Sequence, residues 1–262
     1  MSDGDQNERT PTIDESIEVL RELVESWDSQ PSTVEVPVLE GSPSRAVSIL
    51  SQAEHAVGLT KAVILLCEAG MNVQAVPLVR LTMECAVTAA WLSVTPGSAE
   101  SANLEGARQR RKLLFDMERL STVPSDGSLD SVDEIIDRFA PSDSAEARKF
   151  EERCRSLAGG DWLYPYYRLL SGYSHGGTLL MDHYIQEAGV TEAAPLGWVY
   201  VADAPFEHAE VTTGLQVVLL HLALTAWTSV AVGHPMRTDL AEIAERTGIS
   251  MEIGRRKSSI AP

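Results

Sequence analysis

Apolar residues recur at helical spacing along most of this chain. From residue 44 to 67 they form one stripe that ends at Gly70, and glycine is a residue type that commonly terminates helices. A second apolar helix is predicted from Asn72 to the breaker pair at residues 96–97. Two further long helices are predicted, a polar one at residues 99–121 and an apolar one at residues 206–232.

Shorter elements fill the remaining chain. Helices are predicted at about residues 130–139, 143–158 and 237–247. Residues 161–186 read as a helical stretch that is interrupted by glycines and rich in tyrosine, and residues 188–205 read as a long loop with room for one short strand. The predicted fold is all-α, a helical bundle of four to five long helices with shorter intervening helices.

The first 42 residues differ from the rest in charge. They carry 11 acidic and 2 basic side chains, and a short amphipathic helix is predicted between Ile13 and Trp27, followed by a tether rich in proline and glycine. We therefore divide the chain into an acidic leader (1–42), a helical bundle domain (43–250) and a flexible basic tail (251–262). Self-repulsion predicts a loosely docked leader that can be removed at little cost in stability.

The overall charge limits the function classes. Lys and Arg number 21 against 38 Asp and Glu, a net charge of -17, which argues against a protein that wraps duplex DNA or coats an anionic bilayer. The three cysteines lack metal-ligand spacing, and the first ten residues are polar and acidic rather than basic and then apolar. We expect a cytoplasmic protein with reduced thiols.

The last long helix requires a membrane check, because residues 211–236 carry no formal charge. A run of that length can span a bilayer. It also contains threonines, a glutamine and a histidine, as does the central helix of a soluble bundle. The two alternatives are a bundle core and a membrane segment, and we favour the bundle core.

Several familiar catalytic signatures are missing from the sequence. It contains no phosphate-binding loop, no dinucleotide fingerprint, no His-Glu-x-x-His motif, no Gly-x-Ser-x-Gly elbow and no Glu-x-x-His pair for a di-metal site. We therefore predict neither a metal nor a cofactor.

Arg80 and Glu84 form an i, i+4 pair on an otherwise apolar helix. Such a pair either fixes the helix register as an ion pair or supports a site on a neighbouring helix. We predict that Glu84 is substantially buried and bonded to Arg80 or to a group in residues 167–175.

The tyrosine-rich stretch carries the second polar cluster. If it is helical, Arg168, Ser171 and His175 lie on one face within about 10 Å of rise. A permanent cation and an imidazole so placed can hold a phosphate and transfer a proton. The alternative is a structural network of hydrogen bonds among tyrosine, serine and histidine side chains.

These two segments, RLTMECAVTAAW (80–91) and YRLLSGYSHG (167–176), resemble a bacterial domain-of-unknown-function family of helical proteins. That family pairs an Arg-x-x-x-Glu helix with a Tyr-x-x-x-Ser-x-x-x-His segment, and the match covers roughly residues 45–232. The resemblance implies a polar network of Arg80, Glu84, Tyr167, Ser171 and His175. We add Tyr173 to the predicted supporting residues.

The chain is also loosely similar to the HEPN superfamily, helical bundles that pair an arginine and a histidine across a dimer interface. Many members cleave RNA without metal as toxins or defence effectors. Their motif is an arginine, four to six residues, then a histidine, and six residues separate Arg168 from His175. Leu169 stands where that superfamily commonly has Asn, Asp or His.

The resemblance implies catalytic roles for Arg168 and His175, RNA as a partner and a homodimer with this segment at its interface. Gly172 and its neighbours at 176–177 would permit close approach of a second helix there. A basic cluster at residues 108–112 can attract RNA or be a solvated helix face. Two other hypotheses stay open, a non-catalytic interaction or regulatory module, and a small-molecule enzyme with a pocket near Trp162, Tyr166 and Tyr173.

Overall fold

The computed structural model describes residues 10–31, 36–37, 43–120, 128–192 and 194–256. Its helices are α1 (Ile13–Asp28), α2 (Pro43–Glu68), α3 (Asn72–Val94), α4 (Ser98–Arg119), α5 (Ser128–Phe139), α6 (Ala145–Arg148), α7 (Phe150–Ser156), α8 (Leu163–Ser174), α9 (Thr178–Tyr184), α10 (Ala209–Val230) and α11 (Arg237–Thr247). The strands β1 (Ile185–Glu187) and β2 (Trp198–Tyr200) form one antiparallel hairpin. The predicted all-α class is confirmed.

Two local predictions differ from the structure. The helix predicted at residues 143–158 is two short helices, α6 and α7, because Lys149 between them is extended, with φ -124° and ψ 120°. The long loop holds β2, and β1 pairs with it from residues that we expected to be the end of a helix. Side chains on both strands are exposed. Because neither strand has a buried face, nothing requires the alternation of apolar and polar residues by which a strand is recognised in sequence.

Helix α10 is the centre of the bundle. It packs against α1, α2 and α3, and Leu219, Leu220, Ala223 and Leu224 on it are completely buried. In the core Gln216 donates hydrogen bonds to the hydroxyls of Thr60 on α2 (2.7 Å) and Thr82 on α3 (3.2 Å). These hydrogen bonds join polar groups of three helices without any charge, although Oε1 of Gln216 is buried without a partner among the described residues.

Three of the described helices are long and apolar enough to cross a membrane by length and composition. They are Ser44–Glu68, Asn72–Val94 and Ala209–Val230, and 44%, 67% and 78% of their most apolar windows are buried inside the bundle. The helix that carries the uncharged run is thus the most enclosed of the three. Residence outside the membrane stays a prediction.

Helix α1 packs in the bundle, contrary to the expectation of a loosely docked leader. Its start is fixed by a capping box in which the Glu15 amide donates to the Thr12 hydroxyl (3.3 Å) and the Thr12 amide donates to the Glu15 carboxylate (2.8 Å). Leu20 and Leu23 are completely buried against α10, α2 and α11. The expectation was wrong because the acidic side chains lie on the exposed face of α1 and do not repel the core. Most of the predicted tether lies outside the described residues.

Residues 251–256 also differ from the predicted flexible tail. The Ala158 amide donates to the Gly254 carbonyl (2.8 Å), and the Arg256 amide donates to the Ser156 carbonyl (2.8 Å). The Arg256 side chain forms an ion pair with Asp161. This segment is therefore attached to the chain just before α8, and residues 257–262 lie outside the described range.

His221 joins α10 to α11 and gives folding a pH dependence. Its Nε2–H donates to the Leu240 carbonyl (3.0 Å), and the Thr225 hydroxyl lies 3.4 Å from Nδ1. Burial lowers the pKa of His221 from its ordinary value of 6.5. Below pH 6.5 the unfolded chain therefore binds a proton that the folded chain resists, so this contribution to stability is complete above pH 6.5 and is lost as the pH falls.

We expect the melting temperature to decrease between about pH 6.5 and 5.5, before most carboxylates titrate. His221→Gln should flatten this decrease, whereas the same change at the exposed His55 should preserve it. Differential scanning calorimetry of the three proteins across this pH interval measures the effect. An equal decrease in wild type and His221→Gln would contradict the assignment.

Candidate functional site

Arg80 and Glu84 form a polar stripe on one face of α3, and this stripe faces α8. Arg80 donates from Nε to the Ser171 hydroxyl (3.0 Å) and from Nη2 to the Tyr167 hydroxyl (2.5 Å), and its Nη2 lies 2.9 Å from Oε1 of Glu84. The Tyr167 hydroxyl in turn donates to Glu84 Oε1 (3.0 Å). Arg80, Glu84, Tyr167 and Ser171 thus form one connected group, which we call the polar centre.

The Tyr167 ring holds the polar centre between helices. The Arg80 guanidinium carbon lies 4.7 Å from the ring centroid, and the Phe150 ring of α7 lies 4.4 Å from it. Burial is the main cause that raises the pKa of the Tyr167 phenol, so the hydroxyl stays protonated and can donate to Glu84. The ring is therefore a spacer that sets the distance between α3, α7 and α8.

The polar centre is half-buried. The Arg80 and Glu84 side chains are 21% and 33% exposed. Glu84 is bonded to both Arg80 and Tyr167, as the sequence predicts, but it is less buried than predicted. Because the ion pair is partly solvated, breaking it should cost less free energy of unfolding than breaking a fully buried pair.

Arg153 on α7 extends the polar stripe and was missed by sequence reasoning. It donates from Nη1 to the Thr88 hydroxyl (2.7 Å) and from Nη2 to the Ala147 carbonyl (2.9 Å), and its guanidinium lies 5.1 Å from the Trp91 ring centroid. Burial lowers its pKa from the usual arginine range. Its segment reads as a charged surface helix, and the one available signal was Thr88, which lies one turn beyond Glu84 on the same face.

Arg168 and His175 lie apart from the polar centre, on the exposed side of α8. Arg168 forms no ion pair with any residue in the described parts of the chain. His175 is the C-cap of α8, and its amide donates to the Ser171 carbonyl (3.2 Å). The two side chains share one helix face about 10 Å apart along the axis.

Gly172 lies on the same face, between these two residues. A Cβ at Gly172 would stand 2.4 Å from Cδ1 of Leu179, so α9 of the same chain uses the close approach that this glycine permits. The expectation that Gly172 admits a helix of a partner is therefore wrong. The glycine belongs to the contact between α8 and α9.

Tyr173 does not join the polar centre, contrary to the predicted network. Its ring packs edge-on against Phe206, with centroids 5.2 Å apart, and lies 6.3 Å from the His208 ring. The reason is helical geometry, since Tyr173 is two residues beyond Ser171 and hence about 200° around α8. Its side chain lines a separate cavity between α8, α9 and the loop that precedes α10.

Trp162, Tyr166 and Tyr173, which we expected to line one pocket, line three separate cavities. Trp162 lines a groove of about 1220 Å³ beside α10, Tyr166 lines one of about 770 Å³ beside α1, and Tyr173 lines one of about 250 Å³. Trp162 and Tyr166 nevertheless touch edge-on, with centroids 5.9 Å apart. The three aromatic residues therefore cannot hold one small molecule together.

Half of the basic cluster on α4 is neutralised within the chain. Arg108 forms an ion pair with Asp143 (2.9 Å), and Arg111 forms one with Asp133 (2.6 Å). Of the four basic residues, Arg110 and Lys112 are exposed without an ion pair among the described residues. Among all the residues that the structure describes, no group of three or more His, Cys, Asp or Glu side chains is placed to hold a metal ion.

A family model described as a family of unknown function, DUF5677, matches residues 49–191, which is more than half of the chain and includes the whole polar centre. No curated protein and no solved structure matches the chain.

Proposed function

Since the chain belongs to the DUF5677 family of unknown function, we propose a function from its geometry, that of a HEPN-like effector that binds or cleaves RNA without metal. In this proposal Arg168 and His175 contact the RNA and the polar centre holds α8 in place. We also propose that the protein acts in the cytoplasm as a homodimer, and that it binds neither duplex DNA nor membranes.

One observation carries the proposal. Arg168 and His175 are both exposed on one face of α8, and Arg168 lacks a carboxylate partner within the described residues of a strongly acidic chain. An unpaired guanidinium keeps its donors free for a phosphate, and an exposed imidazole can accept a proton. In the proposed two-fold dimer two such faces meet, so that Arg168 of one protomer and His175 of the other can act on the same phosphate.

The polar centre supports this role through position. Arg80 contacts Ser171 and Tyr167, which are one turn apart on α8 and are both half-buried. These bonds fix both the rotation and the axial position of α8 on α3. Arg168 is adjacent to Tyr167 and is therefore directed outward whenever Tyr167 is bound.

The proposed reaction is cleavage by the RNA 2′-hydroxyl. The 2′ oxygen attacks phosphorus, its proton passes to His175, and the bond to the 5′ oxygen breaks to give a cyclic phosphate. The leaving oxygen takes a proton from the imidazolium of the second protomer or from water. Arg168 stabilises the negative charge that develops on the phosphoryl oxygens.

The test is incubation of the purified full chain with labelled RNA in a chelator. We expect Arg168→Ala and His175→Ala each to reduce cleavage by about 10²-fold or more. Arg237→Ala, a change at another exposed arginine, is the matched control and should cleave as wild type does. Sedimentation and thermal melting show whether each variant keeps its assembly and fold. Absence of wild-type cleavage together with absence of RNA binding would end the proposal.

A second candidate function, a non-catalytic interaction or regulatory module, is favoured by a different observation. The side chains of the polar centre form hydrogen bonds with one another. Leu179 covers Gly172, which lies between the exposed residues Arg168 and His175. In such a module Arg168→Ala and His175→Ala change no RNA property, whereas Tyr167→Phe lowers stability. The same set of variants therefore separates the two functions.

A further inference from the structure

A cavity of about 250 Å³ lies between α8, α9 and the loop that precedes α10. Aromatic rings form one side of it. Rings of Tyr173, His183 and His208 stand at 82°, 86° and 88° to the Phe206 ring, with centroids between 5.2 and 5.8 Å from it. Rings at right angles form the corner of a box rather than a stack, which is how aromatic cages surround ammonium ligands.

Two carboxylates line the same cavity. Neither Asp182 nor Glu207 forms an ion pair with any residue that the structure describes. Both lie close enough to Tyr173 to affect its phenol, because burial, Glu207 and Asp182 together raise the pKa of Tyr173. The cavity is thus negative at neutral pH, within a chain whose net charge is -17.

We propose that this cavity binds a small organic ammonium cation. The carboxylates Asp182 and Glu207 neutralise its charge, and the rings around Phe206 contact its alkyl groups. A volume of about 250 Å³ is below the range of cavities that hold drug-sized ligands, so the ligand is a short alkylammonium ion. This proposal uses none of the residues assigned to RNA and stands independently of that function.

The experiment measures binding to the full chain by calorimetry with three probes. Choline and n-propylammonium carry the charge, and 3,3-dimethyl-1-butanol has the shape of choline without the charge. We expect at least one cation to bind about tenfold or more tightly than the neutral alcohol. Tighter binding of choline indicates a quaternary ligand, and tighter binding of n-propylammonium indicates a primary one.

Variants locate the binding in the cavity. Asp182→Asn and Glu207→Gln should each weaken binding of the preferred cation about tenfold, whereas Asp203→Asn, in the same loop but outside the cavity, should leave it unchanged. Equal affinity for the cations and the neutral alcohol would overturn the proposal, and this comparison needs no variant. An equal effect of all three substitutions would also overturn it, because it would show attraction by the general negative charge.

Discussion

Leu20→Ala is expected to lower the free energy of unfolding by about 2–5 kcal/mol. Leu20 is completely buried where α1 meets α10, so the substitution leaves a cavity that the surrounding helices cannot fill. Leu65→Ala is the matched control, because Leu65 is 66% exposed on α2 and its truncation should cost about 0.5 kcal/mol or less. Urea denaturation of the three proteins measures the difference.

Removal of residues 1–42 extends the same test. It takes Ile17, Leu20, Leu23 and Val24 out of the core together and exposes the apolar side of α10. We expect a large loss of melting temperature, with aggregation of the shortened chain. A truncated protein that melts within a few degrees of the full chain would show that α1 adds little to stability.

The second large effect concerns the polar centre. Arg80→Ala should lower the free energy of unfolding by about 2 kcal/mol, because it leaves Glu84 half-buried without a cation and removes donors to Ser171 and Tyr167. This value lies between those of exposed and fully buried ion pairs, in keeping with the partial exposure of both side chains.

Tyr167→Phe resolves the contribution of the shared hydroxyl. The ring stays packed on Phe150, and only the hydrogen bonds to Arg80 and Glu84 are lost, at a cost of about 1 kcal/mol. Tyr164→Phe, at a neighbouring ring 6.0 Å away, is the matched control and should be nearly neutral. A double-mutant cycle between Arg80→Ala and Tyr167→Phe should give a coupling of about 0.5 kcal/mol or more. Additive effects would contradict the connected polar centre.

The long helices could be predicted from sequence because their apolar residues repeat at 3.6-residue spacing. The pairing of Arg80 with Glu84 follows from the same spacing. The alignment of Tyr167 with Ser171, and their pairing with the Arg80 helix, came from the resemblance to a family that combines these two segments, because periodicity states which residues share a face and not which faces meet.

The rest depends on contacts between distant segments, which periodicity does not contain. Charge counting suggested a detached α1, although the apolar face of that helix decides where it packs. Nothing near Gly172 in sequence shows that Leu179 covers it, and Arg153 meets Thr88 across 65 positions. Tyr173 was grouped by proximity in sequence with residues from which it points away.

The central place of α10 has a consequence for biosynthesis. Helices α2 and α3 leave the ribosome well over a hundred residues before α10, and they can pack on each other at once, but the sides that pack on α10 have no cover until it arrives. At ordinary translation rates this interval is on the order of 10 s, long enough for a chaperone to bind the nascent chain. Helix α1 waits longest, since its main partner is nearly two hundred positions away, and such distant closure slows folding relative to bundles of sequential helices.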